Sequence, residues 1–103
     1  MSTFLEISRY DGAPEDDNFL SITRDELASL LATNPRFKLH TEDGETAVRF
    51  SCCGATKFAV LDGGSLSYQF SPVDDPDEVM AALKDLSAEI PGSVVEDEEG
   101  DFY

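Results

Sequence analysis

Phe58-Ala59-Val60-Leu61-Asp62-Gly63-Gly64-Ser65-Leu66-Ser67-Tyr68-Gln69-Phe70 is the stretch whose reading decides the fold. An apolar run stops at Asp62-Gly63-Gly64, and paired glycines supply the positive φ angles that a tight hairpin turn needs. Beyond the turn, Leu66, Tyr68 and Phe70 alternate with Ser65, Ser67, Gln69 and Ser71. That two-residue period gives a strand with one apolar face and one wet face. Such a hairpin belongs to an antiparallel sheet packed on one side only.

Working outward, Phe37-Leu39 and Val48-Phe50-Cys52 also alternate with polar neighbours, across the turn-like Thr41-Glu42-Asp43-Gly44-Glu45. Phe4 to Arg9 reads as a first strand. Val94-Val95 and Phe102-Tyr103 flank an acidic turn ending in Gly100, which predicts a small terminal hairpin. Two helices are signalled by their ends. Thr23 with Glu26 makes a capping box, Ile22 with Leu27 a hydrophobic staple, and Asn34-Pro35 a stop. Asp75 caps the second helix, Pro76 takes its first position and Glu78 its third. Val79, Leu83, Leu86 and Ile90 then recur at helical spacing before Pro91-Gly92. The order β-α-β-β-β-β-α-β predicts an α+β fold with an antiparallel sheet of five to six strands. Both helices pack on one face, in a single domain over residues 1–103 without repeat or linker.

Charge is the second strong signal. Twenty-two acidic residues face seven basic ones, a net charge of −15 on 103 residues. The acids are grouped at Glu15-Asp16-Asp17, Glu42-Asp43-Glu45, Asp74-Asp75-Asp77-Glu78 and Glu96-Asp97-Glu98-Glu99-Asp101. A surface this negative repels nucleic acid and anionic lipid and attracts cationic surfaces. Hydrophobic content of 41% still suffices for a core. No apolar run approaches the roughly 18–20 residues that span a bilayer. Met1-Ser2-Thr3-Phe4-Leu5-Glu6 has neither basic nor long apolar character, so a cytoplasmic protein is expected.

Catalytic signals are weak. His40 is the one histidine and reads as a solvated strand-end residue. Cys52-Cys53 would point to opposite faces of a strand, Cys52 into the core and Cys53 away, and a bond between them would strain the backbone. Acidic surroundings would raise a thiol pKa. No spacing matches a metal site, a calcium loop or a phosphate loop. The expectation is a protein that is not an enzyme, with no catalytic residue, cofactor or metal. A binding role for the acids is expected instead, with partner-contacting residues Tyr10, Glu15, Asp16, Asp17, Glu96, Asp97, Glu98, Glu99, Asp101 and Tyr103. Phe102 is expected in the core.

Three motifs carry a resemblance: Ile22-Thr23-Arg24-Asp25-Glu26-Leu27, Asp75-Pro76-Asp77-Glu78, and Asp97-Glu98-Glu99-Gly100-Asp101-Phe102-Tyr103. They resemble the Ile-Ser-x-x-Glu-Trp and Asn-Pro-Asp-Glu helix starts and the Gly-Asp-Asp-Gly-Glu-x-Tyr ending of small acidic bacterial α+β proteins, mostly uncharacterised. Leu27 stands for the tryptophan, Asp75 for the asparagine and Asp97 for the first glycine, and residues 37–57 add nothing. Such proteins are similar to immunity partners of bacterial toxins. The resemblance implies an inhibitor that blocks the positive cleft of a basic toxin such as a nuclease. Alternatives are a DNA mimic that blocks a nucleic-acid-binding protein, and an acidic housekeeping or adaptor domain. The expected partner is a basic protein, with no direct nucleic-acid binding, no membrane, and a monomer or weak dimer.

Overall fold

The computed structural model describes residues 4–103; Met1 to Thr3, part of the stretch read above for a leader, lie outside the described residues. β1 (Phe4–Tyr10) leads through a 3-10 turn at Pro14–Asp16 to β2 (Phe19–Leu20) and α1 (Arg24–Leu30). A meander follows: β3 (Lys38–Glu42), β4 (Glu45–Cys52), β5 (Ala55–Asp62) and β6 (Ser65–Gln69). The chain ends with α2 (Pro76–Ala88) and β7 (Ser93–Asp97). The class is α+β and the sheet is antiparallel throughout. It has seven strands, more than the five to six expected, and the order becomes β-β-α-β-β-β-β-α-β. The additional strand, β2, is two residues long and exposed, too short to show an alternation. The predicted terminal hairpin is reduced to one bridge, Glu96 with Phe102, after β7.

Three two-residue turns set the meander: Asp43-Gly44, Cys53-Gly54 and Gly63-Gly64, each with both residues at positive φ. That is the turn whose twist matches the strands it joins. Gly64 has a second reason to be glycine, since a Cβ there would come within 2.7 Å of Ser21 Oγ. Cys52 is in the core as expected, but the middle turn overturns the expectation for Cys53. Cys53 is a left-handed turn residue with φ 57°, and its sulfur lies 3.2 Å from that of Cys52.

β1 is the hub of the sheet. It pairs with β6 over Phe4–Ile7, with β7 over Leu5–Arg9, and with β2 at Arg9 and Tyr10. Leu5, Ile7, Leu66, Tyr68, Ala59, Val48, Phe50 and Val95 occupy one face and are buried. Ile22, Leu27 and Leu31 join the same core from the α1 side, and Val79, Leu83, Leu86 and Ile90 from α2. Both helices therefore cover one face, as predicted. Thr23 Oγ1 accepts from Glu26 N at 3.2 Å, and the Thr23 hydroxyl and amide in turn donate to the Glu26 carboxylate, so the predicted capping box forms. The Glu26 carboxylate also grips the Arg9 guanidinium and ties α1 to β1. That pairing holds Glu26 down at about 2. α1 stops at Leu30, and Asn34 Oδ1 accepts from the amides of Arg36 and Phe37 to turn the chain into β3.

One buried polar group sits under the core. Lys57 lies opposite Phe50, on the helix face of β5, and its Nζ is 2.8 Å from Asp74 Oδ1. Asp74 Oδ2 accepts from the Tyr68 hydroxyl at 2.5 Å and from Ser71 N at 2.8 Å. The Asp74 side chain is fully buried. Lys57, Tyr68 and the Ser71 amide hold its carboxyl at about 2, and burial with the Asp74 charge pushes the Tyr68 hydroxyl up.

Candidate partner-binding face

With both helices on one side, the other face of the sheet is bare. Strand register places Phe102, Glu96, Glu6, Ser67, Val60, Ala47 and His40 in one row across it. At about 4.8 Å per strand, the six strands from β7 to β3 span roughly 24 Å. One end of the row is aromatic. Tyr10 stacks edge-on against Phe19 at 6.1 Å and Phe102 at 6.0 Å, and the two phenylalanines are each 43% exposed. The other end also carries an exposed ring, among charged groups: His40 Nε2 lies 3.4 Å from Glu42 Oε2, and Arg49 stands opposite Phe58. His40 lies 5.4 Å from Phe58, which is 41% exposed, beside the exposed Val60. Phe102 is thus a surface ring, against the expectation of a core residue.

Carboxylates fill the space between these ends. Tyr10 and Ser8 donate to Glu96 at 3.1 and 3.2 Å, and the Ser8 and Ser65 hydroxyls meet at 2.9 Å. Burial raises the Glu6 pKa above its ordinary value, and the charges of Glu96 and Asp62 raise it further. Register places Glu6 directly opposite Glu96, with Asp62 two strands away on β5. Of the seven basic residues, Arg9, Arg36 and Lys57 are paired elsewhere, with Glu26, Asp85 and Asp74. On the bare face, cations stand at the Lys38–Arg49 pair, across β3 and β4 and away from the acids.

The expected contact residues divide between three places. Tyr10 and Glu96 lie on the bare face. Glu15, Asp16 and Asp17 are exposed on the β1–β2 connection at its aromatic end. Asp97 turns to the helix side and is buried. Its carboxylate accepts from the Tyr103 hydroxyl at 2.6 Å and from the amides of Asp101 and Glu99 at 2.9 and 3.0 Å. These bonds hold Asp97 below the usual carboxylate range and push Tyr103 up to about 12. Asp97 is thus the clamp of the terminal turn, while Glu98, Glu99 and Asp101 are exposed on it. Carboxylate oxygens of Asp97, Glu99 and Asp101 lie within 4.8 Å of one another, a spacing the clamp itself accounts for. Tyr103→Phe is expected to speed amide exchange at Glu99 and Asp101 while leaving that of β4 and β5 unchanged, as measured by hydrogen exchange.

Glu6, Asp62, Phe19, Phe58 and Val60 belong to the face and are absent from the sequence-derived set. The two acids are isolated in the chain and meet only through strand register. A cavity of about 580 Å³ lies on the helix side between Leu5, Phe70, Met80 and Tyr103. Its buried carboxylate, Asp74, is already engaged.

The acids give stability a distinctive pH profile. A carboxylate whose pKa is raised by folding opposes folding while ionised, and Glu6 loses that penalty as the pH falls. Asp74 and Glu26, both held at about 2, stabilise fully above their ordinary values of 3.8 and 4.5 and lose that contribution below them. Melting temperature is expected to rise from pH 7 to about 5 and fall below about 4. Added salt should raise it at pH 7 by screening the net charge. A monotonic fall on acidification in a melting series would contradict this.

No family model, curated protein or solved structure matches the chain. Fold and face together describe an acidic α+β protein with a one-sided helical layer and a bare sheet face. That face has an exposed ring at each end and the Glu6–Glu96 pair between them, and no helix among the described residues is long and apolar enough to cross a membrane.

Proposed function

We propose that the chain is a non-enzymatic binding protein whose bare sheet face docks on a basic protein. The observation that carries this reading is the direct pairing of Glu6 with Glu96, with Asp62 on the same face, between exposed rings at the two ends, while the face's cations stand at Lys38 and Arg49. Like charges set side by side on an open face gain most from a cationic partner. Exposed rings beside them offer the apolar anchors that hold a complex once charge has steered it together. An immunity-type inhibitor that plugs the positive cleft of a toxin, such as a nuclease acting in the cytoplasm, fits this chemistry. A DNA mimic calls for acids spread along an elongated body, whereas the molecule measures 37 × 33 × 24 Å. The test is capture from the lysate of the organism that encodes the chain, with washes at about 50 and about 500 mM salt to bracket the screening range. One basic protein held stoichiometrically at low salt and weakened at high salt is the expected result. Its nuclease activity, inhibited on binding, would identify the toxin. Retention of only acidic or neutral proteins would refute the reading.

A further inference from the structure

The middle hairpin of the meander is unusual. Its neighbours turn on Asp43-Gly44 and Gly63-Gly64, residue types suited to positive φ, whereas Cys53 takes that conformation at φ 57°. The left-handed region is unfavourable for a side chain with a Cβ. The turn swings Cys53 back beside Cys52, and both sulfurs are free thiols 3.2 Å apart. α2 begins against the same spot, where Asp75 N donates to Cys53 Sγ at 3.4 Å. Three residues further on, at the third position of α2, Glu78 completes a set. The two sulfurs and a Glu78 carboxylate oxygen all lie within 4.8 Å of one another.

We propose that Cys52, Cys53 and Glu78 form a binding site for a thiophilic divalent cation of the zinc type. Two thiolates and one carboxylate are a donor set for zinc or cadmium, and the sulfurs select against calcium and magnesium. With Zn–S near 2.3 Å, tetrahedral coordination places two sulfurs roughly 3.7 Å apart. The pair must therefore open by about half an ångström, which a small rotation of the half-buried Cys53 supplies. Glu78 is exposed, so a fourth position faces solvent and water fills it. Bound metal would staple the β4–β5 turn to the start of α2. This inference is independent of the partner-binding reading, since these residues lie on the helix side.

The test uses the reduced full-length chain titrated with Zn²⁺ by calorimetry and with Cd²⁺ by ultraviolet absorption. One Zn²⁺ per chain, a thiolate-to-cadmium charge-transfer band and a higher melting temperature with Zn²⁺ are expected. Cys53→Ser should weaken Zn²⁺ binding at least about 10–100-fold, and Glu78→Gln by a smaller factor. Cys53 and Glu78 are outside the core, so circular dichroism should show both variants folded. Cys52, being buried, is left intact. Absence of the charge-transfer band at stoichiometric Cd²⁺ would overturn the proposal. So would Zn²⁺ affinity unchanged in either variant, or Ca²⁺ binding as tightly as Zn²⁺.

Discussion

Asp74→Ala is expected to destabilise the protein by on the order of 3 kcal/mol and lower its melting temperature by roughly 10–20 °C. The loss follows from what the substitution strands. The Lys57 side chain is only 14% exposed and would keep its charge beneath the helix layer without its partner at 2.8 Å. The Tyr68 hydroxyl and the Ser71 amide would also lose their acceptor. Leaving buried donors unsatisfied costs more than forming the bonds contributes. The control is Asp75→Ala, which removes the acceptor for Asp77 N at the exposed start of α2 and should cost about 1 kcal/mol. Replacing both buried partners, Lys57→Met with Asp74→Leu, should recover most of the loss, because no orphaned charge remains. Chemical denaturation of the four proteins measures the cycle. Equal losses for Asp74→Ala and Asp75→Ala would mean that the buried group contributes nothing special.

That contrast also shows what could be read in the sequence. Local signals were legible: the Gly63-Gly64 turn, the caps at Thr23 and Asp75, and the alternation of Leu66 and Tyr68 each announce their own element. The one-sided packing of the helices followed from the wet face of β6. Relations between elements were not legible. Lys57 reads as an ordinary polar strand residue, and its partner stands seventeen positions later in a cluster that looks like helix capping. Cys53 reads as a strand residue, because cysteine is not a turn former and the single Gly54 after it is a weaker signal than Asp43-Gly44 or Gly63-Gly64. The same holds for the candidate site. Acid runs drew notice to Asp97 and Tyr103, which clamp a turn. Glu6 and Asp62, single acids in separate strands, become a feature only when β1, β5 and β6 are placed side by side. Tyr10 and Glu96 were the members of the sequence-derived set that met on the face.

Neutralising that centre, as Glu6→Gln, Asp62→Asn and Glu96→Gln together, is expected to act in opposite directions on folding and on binding. Removing mutually repelling charges should leave the free protein as stable as before or more so. Association with a basic partner should slow by about 10-fold or more at low salt, and the dependence of the rate on salt should flatten. Truncating the rings, by Phe58→Ala or Phe102→Ala, should instead speed dissociation. Stopped-flow association and surface-based dissociation rates separate the two. The triple substitution in Glu15, Asp16 and Asp17, at the edge of the face, should have a smaller effect on the association rate. If the two triple variants slowed association equally, the site would be diffuse charge and not this face.

The most direct measurement is quantitative capture from the host lysate by the wild-type chain and by the Glu6→Gln, Asp62→Asn, Glu96→Gln variant, side by side at low salt. The bare-face account predicts a single basic protein retained stoichiometrically by the wild type and largely lost from the variant, with both baits equally folded. Equal retention by the two baits, or a retained partner that is not basic, would contradict it.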